Sequence, residues 1–126
     1  MKIRMGFVSN SSSSCFILDA RKPATKDILK KIKKIHADYS LCRSTAKMVG
    51  KDAIRYANTW KKDIEGLYTE TFKGPGDFIL EVAEEIGDNN VVFIRLSDED
   101  DAYYKMDKIG LVDKISKNAV MEFEYH

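Results

Sequence analysis

The chain has 126 residues, 44% of them hydrophobic, with only 2 prolines and 7 glycines. That composition excludes a disordered polymer and fits one domain spanning residues 1–126. The formal net charge of +1 hides a segregation: residues 1–62 hold 15 Lys and Arg against 4 Asp, and residues 63–126 hold 6 against 16 acids.

The start, "MKIRMGFVSN", is basic and lacks the uninterrupted apolar core of a signal peptide. No apolar run approaches the roughly 18 residues that a membrane-spanning helix needs. Cys15 and Cys42 lie in no CxxC pattern and read as two reduced thiols of an intracellular chain. These features predict a soluble cytoplasmic protein.

"KIRMGFV" alternates, with Ile3, Met5 and Phe7 on one side and Lys2, Arg4 and Gly6 on the other, the period of a half-buried strand. "CFILD" is short, apolar and β-prone, a second strand. The two can pair as a hairpin across the serine loop Ser9, Asn10, Ser11, Ser12, Ser13 and Ser14.

"RKPATKDILKKIKKIHADY" then turns helical, with Pro23 at its start and Thr25 as a candidate N-cap. Ile28, Ile32, Ile35 and Tyr39 line one face, and Lys26, Lys30, Lys33 and Lys34 the opposite one. In a second helix, Val49, Ala53, Tyr56, Trp60, Ile64 and Leu67 recur at helical spacing, Trp60 reading as core. "FKGPGD" breaks the chain, and Asp77 is placed to cap a third helix whose buried stripe is Ile79, Val82, Ala83 and Ile86, with Gly87 as its stop.

"VVFIRL", residues 91–96, is the strongest strand and should be central in a sheet. The acidic cluster Asp98, Glu99, Asp100 and Asp101 follows it. "AYYKMDKIGLVDKISKN" predicts a fourth helix with a break near Gly110. "VMEFEYH" alternates Met121, Phe123 and Tyr125 with Glu122 and Glu124, which fits an edge or half-exposed strand. The order is β-β-α-α-α-β-α-β: an α/β domain with a small mixed sheet covered by helices.

Chemistry is harder to find. The serine loop has no glycine for close backbone approach and no helix behind it, so it is a poor phosphate cradle. It reads first as a turn, although such loops prefer Gly, Asn or Asp. Phosphorylation there would add charge beside Arg4, Arg21 or Lys22. The acidic cluster reads first as capping of the next helix. A Mg²⁺ site would need a further carboxylate, for which Asp19 is the only obvious candidate. Ser14, His36 and Asp98 carry no local signature of a catalytic triad, and His126 is the last residue. Cys15, Cys42 and His36 have the wrong spacing for zinc. No catalytic residue, metal or cofactor is therefore expected. The basic half, with Tyr39, Tyr56 and Trp60 interleaved, has the electrostatic footprint of a nucleic-acid binder without a known motif.

One stretch does resemble something known. Arg4, Gly6, Phe7, Val8, Ser9, Asn10, Ser11 to Ser14, Phe16 and Ile17 match an N-terminal signature shared by many small uncharacterised proteins of bacterial and archaeal viruses and mobile elements. Cys15 stands where one more serine is usual. The resemblance covers residues 2–18 only. It implies a viral or prophage origin, a place in the host cytoplasm, and no particular activity.

The expectation is a non-catalytic accessory protein that binds a host or viral protein, including inhibition of a host defence factor. Its expected contacts are Lys26, Lys30, Lys33 and Lys34 together with Asp98 to Asp101. Opposed patches of this kind also fit a homo-oligomer. The alternatives are a phosphate-ester or nucleotide-binding protein, with or without a metal, using the serine loop with Asp98, Asp100 and Asp101, and a nucleic-acid binder using the basic half.

Overall fold

The computed structural model describes residues 3–5, 13–38, 46–64, 73–97 and 101–125. In chain order these form β1 (Ile3–Met5), β2 (Ser13–Asp19), α1 (Pro23–Asp38), β3 (Ala46–Val49), α2 (Lys51–Ile64), α3 (Pro75–Ile86), β4 (Val91–Ser97), α4 (Asp101–Lys108), α5 (Leu111–Asn118) and β5 (Met121–Tyr125). The described strands make one mixed sheet in the order β1-β5-β2-β4-β3. Only β1 with β5 is parallel; the other neighbours are antiparallel.

The β2–β4 pair is the middle of the sheet, and its sequence explains why. Cys15 to Leu18 and Val91 to Ile94 are all buried, as continuous apolar strands covered on both faces must be. Alternate residues serve two cores. Phe16, Leu18, Val92, Ile94 and Leu96 pack beneath α1, α4 and α5. Cys15, Ile17, Val91 and Phe93 pack beneath α2 and α3, joined by Met121 and Phe123 of β5. The result is a three-layer α/β/α arrangement.

Helix α1 buries Ile28, Ile32 and Ile35, as their spacing predicts. It starts at Pro23, where a missing N–H costs nothing and φ is already helical. Thr25 therefore lies inside the first turn, fully buried, and is not the N-cap. In α3, likewise, Asp77 sits in the first turn, and its Oδ2 accepts the Gly74 N–H at 3.3 Å. It satisfies the start of the helix from within. Gly87 closes α3 by donating its N–H to the Ala83 carbonyl at 2.8 Å.

The contact of α2 with α3 explains the "GPG" of the sequence. A Cβ on Gly76 would lie 2.6 Å from Trp60 Cε3 and 2.7 Å from the Ala57 carbonyl oxygen, and one on Gly74 would overlap the Trp60 ring. The two glycines let the start of α3 lie flat on the indole, so Trp60 is core, as its place in an apolar stripe predicts.

Three expectations are corrected. β1 and β2 are not a hairpin, because β5 lies between them. The first and last strands are thereby neighbours, and Ser13 and Ser14 belong to β2 rather than to a loop. The last strand is not an edge: β5 is bonded to β1 and β2, and Met121, Glu122 and Phe123 are buried. Val49 belongs to the short strand β3, with the turn residue Gly50 between it and α2, so the second helical stripe begins only at Ala53. Tyr39 and Leu67 lie outside the described residues. The break between α4 and α5 falls at Gly110, whose φ of +77° favours glycine.

Candidate interaction surface

Helix α1 has its apolar face fixed by three isoleucines, and the remaining geometry follows. Lys26, Lys30, Lys33 and Lys34 are all exposed on the side away from the sheet. A spacing of four and three residues puts Lys26, Lys30 and Lys33 in one row about 10 Å long. Among the described residues, none of the four lies within ion-pair distance of a carboxylate. Asp27, an acid of the same helix, is already engaged. It accepts from Lys114 of α5 and pairs with Lys31 at 3.1 Å, and these two ammonium groups hold its carboxyl below the usual range.

Asp19 has a local job. Arg21 donates to it from its backbone N–H at 3.0 Å, from Nε at 3.0 Å and from Nη2 at 2.8 Å. These bonds hold the Asp19 carboxyl below its ordinary range against the opposing effect of burial. The register removes Asp19 from the acidic cluster. Asp19 faces Val91 at one end of β4, whereas the cluster follows Ser97 at the other, about 20 Å away at the rise of a strand. The carboxylate that a metal site would have recruited is on the wrong end of the sheet. Asp98, Glu99 and Asp100 lie outside the described residues; Asp101 is the first residue of α4.

At that same end, Ser13 stands opposite Ser97 on one side and Tyr125 on the other. The topology thus brings the chain leaving the serine run beside the chain entering the acidic cluster. Ser9, Asn10, Ser11 and Ser12 lie outside the described residues. Ser14 lies in β2 and His36 in α1, and Asp98 lies outside the described residues. The Cys15 thiol is fully buried, and burial pushes it up to about 12 against the lowering influence of Arg95. A thiol in that state stays protonated at neutral pH and is a poor nucleophile.

No protein-family model, curated protein or solved structure matches the chain. The surface has to be read from its own residues. Two aromatics of the basic half are not available for stacking on bases: Trp60 is buried, and Tyr56 stacks on Phe93 with centroids 5.4 Å apart. An exposed aromatic that the residue pattern did not single out is Tyr104 of α4, 64% exposed. Its helix also carries the exposed Lys105 and Lys108. Another such group is Glu122, buried, whose Oε1 accepts from Ser116 Oγ of α5 at 2.8 Å. Its alternation with Met121 and Phe123 pointed to solvent; α5 covers that face instead. Among the described residues, no helix is long and apolar enough to cross a membrane.

Proposed function

We propose that the protein is a non-catalytic, virus- or prophage-encoded accessory factor that binds an acidic host protein through the lysine row of α1, with inhibition of a host defence factor as its role. The single observation that carries the binding surface is this row: ammonium groups at helical spacing, exposed and without intramolecular acid partners among the described residues. The viral setting rests on the resemblance of residues 2–18. Cytoplasmic placement follows from the same setting. The acidic cluster 98–101 is the second contact in this reading.

Lysines on a rim act chiefly by steering association, so binding weakens as salt rises. The nucleic-acid reading shares the lysines but loses Trp60 and Tyr56 as stacking platforms. The nucleotide and metal reading loses Asp19.

The test is capture of the tagged protein's partner from nuclease-treated host lysate, beside a Lys26→Glu, Lys30→Glu, Lys33→Glu variant with an unchanged melting curve. A stoichiometric protein retained by the wild type and lost by the variant supports the reading. Capture of nuclease-sensitive material, or a partner indifferent to the charge reversal, overturns it.

A further inference from the structure

The lysine row has a counterpart on the other side of the molecule. Helix α3 packs beneath the opposite face of the sheet, burying Phe78, Ile79, Val82 and Ala83. Its outward side presents Glu84 and Glu85, and Asp88 follows in a 3-10 turn, Asp88–Asn90. All three are exposed, and among the described residues none is paired with a cation. Three other acids do have a cation at hand: Glu81 pairs with Lys73 at 2.6 Å, Asp77 with Lys61 at 3.4 Å and Asp113 with Lys117 at 3.0 Å.

We infer that the lysine row of α1 and the acidic row ending α3 are the two halves of a head-to-tail contact between copies of this chain. Within one molecule the rows cannot meet, because α1 and α3 lie on opposite faces of the sheet. The lysines extend about 10 Å along their helix, and the acids run from Glu84 and Glu85 in the last turn of α3 to Asp88 in the 3-10 turn behind it. A two-fold contact uses the same patch on both copies, so with the rows on opposite faces it cannot join the lysine row to the acidic one. A heterologous contact sets opposite charges together, leaves both outer rows free, and builds open chains or rings. The contact is polar and rim-like, so it is weak and governed by salt. It goes beyond the binding function proposed above, and a copy docked on α1 competes with the acidic partner for the same lysines.

Sedimentation velocity of the purified protein tests it. At low salt, about 20 mM, where screening is long-ranged, the mean mass rises with concentration above the 14.4 kDa of the monomer. At about 0.5 M salt it returns to the monomer. Lys30→Glu with Lys33→Glu, and separately Glu84→Lys with Glu85→Lys, each weaken association at least tenfold. An equimolar mixture of the two variants restores it, since each then offers what the other lacks. Both variants are required to melt as the wild type does, and neutralising substitutions of the same residues to glutamine replace any that do not. A monomer at every concentration in low salt overturns the inference, as does association that ignores salt, or a mixture that stays monomeric. The Glu84→Lys, Glu85→Lys variant keeps its α1 lysines, so its partner capture judges the proposed function separately.

Discussion

At Gly76 a single hydrogen is the difference between contact and overlap. A methyl there meets the Ala57 carbonyl oxygen, which is helix backbone and cannot turn aside, as well as the Trp60 ring. Gly76→Ala should therefore destabilise the protein by about 1–3 kcal/mol, the usual result of overpacking, although alanine is the better helix former. A denaturant midpoint that stays or rises would refute that reading of the "GPG" segment. Cys15 gives a second residue-scale prediction. Its folded-state thiol is raised from 9.0 to about 12 by burial. Between those values the unfolded chain has released the proton while the native state still holds it. Stability thus falls as pH rises through that window, and is unaffected below it. Cys15→Ala should flatten the decline between pH 9.0 and about 12 measured by urea titration. In a Cys42→Ser background, Cys15 should stay unmodified by a thiol reagent at neutral pH until the protein unfolds.

Element by element, β5 matters more than its position in the chain implies. It joins β1 to β2, supplies Met121 and Phe123 to the core beneath α3, and places Glu122 against Ser116. Phe123 stacks near Phe93 and tilts against Phe78, with centroids 4.8 Å apart in the latter pair. Removing residues 121–126 should abolish cooperative thermal unfolding rather than merely lower the midpoint, because β1 loses its neighbour and Phe78 its cover. A truncated chain that still melts in one sharp transition would show that the β2–β4–β3 part stands by itself. Alternation of Met121, Phe123 and Tyr125 made the strand legible, but not its neighbours. Pairing with β1 joins segments more than a hundred residues apart, and no local pattern encodes such a partner.

For the whole molecule, two apolar clusters share one central sheet. Adjacent residues of β2, Phe16 and Ile17, serve different clusters, so loosening one face is felt through the same strand by the other. Ile28→Ala beneath one face and Ile79→Ala beneath the other should each cost about 2–5 kcal/mol, the range for emptying a buried isoleucine. Both should shift one common transition seen by Trp60 fluorescence and by circular dichroism. Two separated transitions would mean that the layers fold independently. Charge is also a property at this scale. Asp27 of the basic half reaches Lys114 of the acidic half, while Lys61 and Asp77 join α2 to α3. Part of the segregation along the chain therefore holds helices together, while the rows on α1 and α3 stay exposed.

Local chemistry determined the element types and most of the buried residues of this protein. Isoleucines at spacings of four and three could bury only one side of α1, and that alone turned Lys26, Lys30, Lys33 and Lys34 outward. Continuous apolar runs could only be covered strands, and Gly110 could only interrupt the helix around it. The short strand β3 escaped notice because four residues ending in Val49 continue the period of the next helix. Tertiary structure alone decided the neighbours: β5 between β1 and β2, Asp19 at the end of the sheet away from the acidic cluster, Trp60 under two glycines, and the lysine and glutamate rows on opposite faces. Periodicity records how each segment divides its residues between core and water. It carries no information on which distant segment supplies that core, and the candidate surfaces depend on that second choice.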